Sequence, residues 1–486
     1  MTRLAGETPR LPAILPAAVL VVLLKQIFLL VDDTPRFFMG DSGSYILASS
    51  LDWVPFDRSY TYGYLIYLFG VLPRSLPRFI AVQTAFGAAA SILLSAILAR
   101  RFGVKPVVAV AAAIAASLDP TQLVLERQVM TETFALFLLA IVLAVALAYL
   151  DAPRLWKLLV VQAAGVALVS LRTVYVPVTL ALAGVLPVLG VRAIGTVART
   201  TPARAAYSAR TAVAIHLAIS LASALAVHHA YRAYTGIVSG QAPAYQYADG
   251  FFLISSVAPI LVKADAASPA VARAISRSDL GDIDSRNWHR WGPTGLVQHI
   301  HDEIGDVRVA NSLSRQTAIA AIRRDPLGVL SLAFQSYARY WVPSYMSRVI
   351  RRGDQQRNPH LRADFIRLVH ERFGYRAIPR QNSEPVSLTQ EFQVAFDAPW
   401  RATGLLSPLL ATVALWACRP GKRPAALLVA IVTGLLFAMT MLTLTDILAR
   451  YLQPLTWLGI LSAAVALDGA AARWRRQPPR WKVTPP

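Results

Sequence analysis

The sequence predicts an all-α polytopic membrane protein, with about ten transmembrane helices and a mostly helical extracytoplasmic segment. Three observations predict it. The 486 residues are 55% hydrophobic and only 15% charged, where a soluble chain carries roughly 25%. The apolar residues are bunched into long runs, and a bilayer core of roughly 30 Å takes about 20 such residues per helix. The runs are continuous rather than alternating. In lipid the backbone must satisfy itself, so continuous runs predict helices and not barrel strands.

Ten spans follow in order, near Leu11–Val31, Phe79–Leu98, Val104–Leu118, Thr133–Leu150, Leu158–Leu171, Val176–Val191, Thr211–Tyr231, Thr403–Cys418, Pro424–Leu444 and Ile447–Leu467. The first is too long for a cleaved leader, and no small-residue cleavage site follows it. The fifth and sixth read as one broken pair around Arg172. Basic residues sort the gaps. Arg3 and Arg10, Arg100, Arg101 and Lys105, Arg154 and Lys157, Arg192–Arg210, Arg419, Lys422 and Arg423, and a tail with Arg473, Arg475, Arg476, Arg480 and Lys482 fall on one side. Asp32, Asp33, Asp41, Asp119, Glu126 and Asp446 fall on the other. Basic loops stay inside, so both termini are expected in the cytoplasm. The expected location is a bacterial inner membrane.

The charge of +21 is thereby explained without nucleic acid, because the arginines flank apolar runs. The single cysteine, Cys418, excludes a disulfide framework. The organisation is an N-terminal membrane module over 1–232 with a first outer loop at 32–78. An extracytoplasmic segment follows over 233–401. The last spans and a basic tail occupy 402–486. Within the outer segment, Pro326–Met346 has an apolar start followed by Tyr337, Tyr340, Trp341 and Tyr345. Aromatics with polar tips prefer the membrane boundary, so this stretch is expected to form one helix lying along the outer leaflet. A crossing would reverse the topology downstream. Phe251–Val262 is too short to span and is expected at the interface or buried.

Chemistry concentrates in the outer loops. PRFFMGDSGSYILAS places Asp41 just outside the first span, in a glycine-flanked turn at a helix start. A carboxylate there could accept a proton from a sugar hydroxyl or help to hold a divalent cation. The competing reading is a helix N-cap. Glu132 opens an apolar helix, where the dipole favours a carboxylate. Glu126 and Arg127 read as solvated. Arg172 and Arg450 lie at the outer ends of apolar runs, with Arg450 read as a few residues into the last span. A guanidinium in a membrane segment suggests a function, and a lipid phosphate suits its bidentate fork. Snorkelling to the interface is the rival for Arg450 and the expectation for Lys25. His289, His299, His301, Asp302 and Glu303 lack the i, i+4 helical zinc spacing and read as a solvated loop. Arg348, Arg351 and Arg352 could hold anionic headgroups or a diphosphate.

The chain resembles the GT-C superfamily of membrane glycosyltransferases. Within it, the similarity is to the bacterial branch of protein O-mannosyltransferases, aminoarabinose transferases and lipopolysaccharide core sugar transferases. Asp41 and Tyr45 in GDSGSYILA, Glu132 in MTETFALFLL, Arg172 in SLRTVYVP, and AIRRDPLGVL with ARYLQP carry the resemblance. It implies transfer of a sugar from a polyprenyl-phosphate donor, on the outer face, to a lipid, glycan or protein acceptor. Asp41 would be the catalytic base, with Glu132 a second catalytic carboxylate. Tyr45, Asp57, Arg172, Arg348, Arg450 and Tyr451 would bind substrate. Many relatives have Asp-Glu where this chain has Asp41-Ser42, which puts metal binding in doubt, with Asp57 or Glu132 as substitutes. A lipid-linked oligosaccharide flippase or transporter and an O-antigen ligase or polymerase are the alternatives. Transporters often have related halves, which are not evident here, and the acidic first loop favours the transferase.

Overall fold

The computed structural model describes residues 11–38, 40–50, 53–191, 193, 209–355, 363–377, 387–443 and 445–475. Among them the regular structure is helical, as expected. The parts of the 192–210 loop and of the basic tail named above that fall outside these ranges, with Arg3 and Arg10, lie outside the described residues.

The first half comprises α1 (Leu11–Val31), α2 (Asp41–Ala48), α3 (Thr61–Ile66), α4 (Leu76–Ile97), α5 (Pro106–Ser117), α6 (Pro120–Leu125), α7 (Glu132–Asp151), α8 (Leu155–Leu171), α9 (Val176–Leu189) and α10 (Ala209–Ser239). Outside the bundle lie α11 (Asp249–Ser256), α12 (Pro269–Arg277), α13 (Arg286–Trp291), α14 (Leu296–Ile304), α15 (Val307–Arg324), α16 (Pro326–Tyr340), α17 (Pro343–Gln355) and α18 (Ala363–Phe373). The chain returns through α19 (Leu388–Leu405), α20 (Ser407–Ala417), α21 (Arg423–Thr443) and α22 (Gln453–Trp474).

Each of the ten apolar runs is a helix. Six are long and apolar enough to cross a membrane, within Ile14–Val31, Leu76–Phe102, Glu132–Asp151, Arg210–Ser239, Pro420–Thr443 and Ala449–Trp474. The other four are shorter apolar helices, and Thr61–Val71 in the first outer loop is a further one. Proline and extended residues set several of the breaks. Arg172 is extended (φ −148°, ψ 114°) between α8 and α9, and Pro177 starts the next helix. The helix α20 starts at Ser407, one residue after α19 ends, with Pro408 in its first turn, because proline has no N–H to continue the preceding ladder. The boundary expected at 401/402 therefore falls inside α19.

In α1, Ala17, Val21 and Lys25 form a buried stripe at i, i+4, i+8. It packs on α4 and α5, where Ala88 and Ala113 allow close approach. The opposite face, including Leu15, Leu23 and Leu30, is exposed, as a lipid-facing surface would be. At one end of the bundle Asp151 pairs with Arg101 at 2.9 Å and Lys422 at 3.6 Å, and the Lys105 amide donates to Asp468. Three turns expected on the basic side thus meet at one end. At the other end Arg36 and Gln128 run side by side, with Arg36 N–H on the Arg127 carbonyl at 2.8 Å and Val129 N–H on the Arg36 carbonyl at 3.0 Å. These bonds clip the first outer loop to the one between the third and fourth apolar runs.

Several expectations change. Lys25 does not snorkel: it is buried, and its Nζ donates to Glu126 Oε1 at 2.7 Å. Glu126 and Arg127 are not solvated; both are fully buried. Gln122 also donates to Glu126, and Arg127 donates to the Asp32 and Leu123 carbonyls. The unit that makes these groups tolerable is tertiary, so sequence spacing did not expose it. Pro326–Met346 is not one helix, because Pro343 starts a new one after Trp341 and Val342. Arg450 is not inside the last helix but in the 3-10 turn Ala449–Leu452 that precedes it. His289 is buried and bonds the Leu280 carbonyl at 2.9 Å, so that segment is not simply solvated. Phe251 and Ile254 are buried in a second core that gathers α11, α12, α14 and α15 outside the bundle.

Candidate active site

Gly40 takes φ +77°, which L side chains rarely adopt, and it occupies the N-cap of α2. Asp41 is therefore the first residue of the helix and not its cap, and no side-chain capping bond forms there. Its carboxylate is free to turn into the site. It accepts from Arg58 Nη1 at 2.6 Å and from Arg450 Nη1 at 2.7 Å. Ser42, the next residue, is buried. It donates to the Val129 carbonyl at 3.0 Å and accepts from the Phe38 amide at 2.8 Å. Its role is to pin the loop, not to face the cavity.

The site is a row of alternating charges. Arg58 grips Asp57 with Nε at 3.0 Å and Nη2 at 2.5 Å, then reaches Asp41. Arg450 bridges Asp41 to Glu132, whose Oε1 is 3.7 Å away. Arg172 closes the row with an ion pair to Glu132, the first residue of α7. Aromatic faces hold the guanidiniums in place. Arg450 lies 4.4 Å from the Phe38 ring centroid and 4.9 Å from that of Tyr451, whose hydroxyl also accepts from its Nη2. Arg172 is 5.5 Å from the same Tyr451 ring. Tyr45 is buried, stacks edge-on against Tyr62, and lies under Arg58. Burial pushes the Asp41 carboxyl up, but Arg450 and Arg58 outweigh burial and hold it below its ordinary value of 3.8. Burial and the Asp41 charge push the Tyr45 phenol well up.

These groups line a cavity of about 300 Å³ between the bundle and the outer helices. Asp41, Tyr45, Asp57, Glu132, Arg172, Arg450 and Tyr451 all reach it. Arg348 does not; it is exposed on α17. A smaller cavity of about 20 Å³ shares Glu132, Arg172, Val174, Arg450 and Tyr451 and adds apolar Leu436 and Pro454. Two cavity residues escape a reading of the sequence. Arg58 stood beside Asp57 in the first loop, and that adjacency was the available signal. Arg290 comes from α13, lies 3.7 Å from the Phe252 ring centroid, and donates to Thr445 Oγ1 at 3.0 Å. Its aromatic neighbours in NWHRW were the only hint.

A divalent cation does not fit this donor set. Among the described residues no group of three or more His, Cys, Asp or Glu side chains could hold a metal ion. Asp41, Asp57 and Glu132 are each bonded to arginine instead.

The sequence matches no protein-family profile and no curated protein sequence. Among solved structures it is similar to ArnT from Cupriavidus metallidurans bound to undecaprenyl phosphate, at 14% identity and a TM-score of 0.34, over 94% of this chain and 78% of that one. The apo state of the same protein aligns at 15% identity and a TM-score of 0.31, over 94% and 77%.

Proposed function

We propose that this chain is a membrane glycosyltransferase that moves a sugar from a polyprenyl-phosphate carrier to a hydroxyl or amine acceptor at the outer face of the cytoplasmic membrane. One observation carries the reading. A carboxylate with a cavity in front of it sits among guanidiniums at the mouth of an apolar bundle. Asp41 is the base, and Arg172 and Arg450 receive the phosphate. The apolar residues of the adjoining small cavity lead the polyprenyl chain towards lipid.

In the step proposed, an Asp41 oxygen takes the acceptor's proton as the acceptor atom bonds to the anomeric carbon. The bond from that carbon to the carrier phosphate oxygen breaks, and its electron pair leaves with the phosphate. The added negative charge falls on Arg172 and Arg450, whose forks suit phosphate. Attack opposite the leaving group inverts the anomeric centre. Arg450 links the two events. While it is bonded to Asp41 the carboxylate is a weak base. A phosphate that draws Arg450 away leaves Asp41 with Arg58 alone and raises its affinity for a proton. The donor thus activates the base on arrival.

The test is release of free polyprenyl phosphate from a panel of polyprenyl-phosphate sugars by membranes carrying Asp41→Asn. Release should fall about 10²–10⁴-fold, the usual loss on removing a general base. Release near wild type would return Asp41 to a structural role and move the search to Asp57 and Glu132.

A further inference from the structure

The end of the bundle remote from Asp41 holds a second sizeable cavity, of about 230 Å³, between the ends of α20 and α22 and the turn after α4. Its charged lining is Arg419, Arg423, Arg473 and Asp468, and its walls include Phe102 and Val465. Three arginines and one aspartate leave the lining a net charge of +2. Asp468 is buried and accepts from the Lys105 amide at 3.3 Å. Among the described residues no carboxylate forms an ion pair with any of the three arginines. Arg473 is held instead over the Trp416 ring, 4.2 Å from its centroid, and donates to the Trp416 carbonyl. Trp416 is 70% exposed and Trp474 81% exposed. Exposed tryptophans at the ends of apolar helices mark the membrane–water boundary. The cations therefore stand at headgroup depth, with apolar walls beneath them.

We infer that this cavity binds the phosphodiester of an anionic diacyl phospholipid. Guanidinium forks recognise phosphate oxygens, and basic pockets between transmembrane helices take anionic headgroups. A free phosphate would be recognised by the same arginines but would make no use of the apolar walls or the exposed tryptophans. The site is separate from the catalytic cavity and does not depend on the reaction proposed there.

The test is native mass spectrometry of the full chain in detergent, offered equal amounts of phosphatidylglycerol and phosphatidylcholine. The wild type should retain phosphatidylglycerol preferentially. The variant Arg419→Gln/Arg423→Gln/Arg473→Gln should lose that preference by on the order of tenfold or more, while Arg308→Gln, at an exposed position on α15 outside the bundle, should keep it. An excess of inorganic phosphate should leave the lipid bound. Displacement by inorganic phosphate would make this a phosphate site and overturn the lipid assignment. So would equal retention of the two lipids by the wild type, or an unchanged preference in the triple variant. If the triple variant does not fold, Arg423→Gln alone should weaken the preference, and no change would again overturn it.

Discussion

At the scale of single residues, the site is governed by how its charges are shared. Asp41 serves two arginines at once, and that has a consequence for pH. Its folded carboxyl lies below 3.8, so the stability from its pairs is fully present above about pH 4. It is lost only as pH falls through the lower folded value. The acid limb of kcat/KM, which reports the free enzyme, is expected below that ordinary value. The limb of kcat, which reports the loaded enzyme, is expected higher, because donor phosphate has taken Arg450. Identical limbs in a pH–rate series would remove the proposed exchange. Arg172→Lys and Arg450→Lys keep charge but lose the fork. Hydrogen bonds to charged groups contribute about 1.5–3 kcal/mol, so donor KM should rise roughly ten- to hundredfold in each. Unchanged donor KM in both would exclude the bidentate role. Asp41, Glu132, Arg172 and Arg450 were legible because unbalanced charge beside an apolar run is costly and conspicuous. Arg58 and Arg290 were not, because in a polar loop an arginine is ordinary until folding buries it.

At the scale of elements, the buried pair Lys25–Glu126 ties α1 to the turn after α6, on the side of the outer loops. Gln122 extends the tie, since it donates to Glu126 and accepts from Gln453 at the start of α22. Gln453 follows directly on the turn that carries Arg450 and Tyr451. Removing one partner of a buried pair costs about 3–5 kcal/mol, whereas replacing both with apolar groups is often neutral. Glu126→Leu should therefore lower the thermal midpoint in detergent strongly, and Lys25→Met/Glu126→Leu should recover much of the loss. A double variant no more stable than the single would break this account. The α16 helix presents a different face. Leu332, Ser336 and Tyr340 are buried, and α16 packs on α21, while Leu327, Leu330 and Phe334 form an exposed apolar stripe. Such a stripe on a helix outside the bundle is expected to rest on the outer leaflet. Brominated lipid should quench a single tryptophan introduced as Phe334→Trp in a background freed of other tryptophans. Quenching absent there would place α16 in water.

At the scale of the whole molecule, the bundle has two chemically distinct ends. One gathers Arg101, Lys105, Lys422 and the arginines of the second cavity around two aspartates. The other carries the alternating row that begins at Asp57 and ends at Arg172. By the positive-inside rule the first is expected to face the cytoplasm. Reporter fusions at Arg475 and Gly292 should accordingly fall on opposite sides of the membrane. The same side for both would overturn the topology. The outer helices have a core of their own around Ile254, Val271 and Ile300, yet α13 sends Arg290 back into the main cavity. The site is thus shared between membrane and outer parts, and neither part alone completes it.

The sequence by itself determined the helical class, the ten apolar helices and the alternation of basic and acidic loops. These depend on composition along a single stretch, and a bilayer imposes its length and polarity on each stretch independently. It also pointed to Asp41, Glu132, Arg172 and Arg450, each next to an apolar run. Only the tertiary structure decided what these residues do to one another. Asp41 and Arg450 are separated by most of the chain but meet at 2.7 Å. That contact turns a candidate cap into a paired carboxylate. The same holds for Lys25 and Glu126, since a charge within an apolar run gains its partner only when helices distant in sequence pack together.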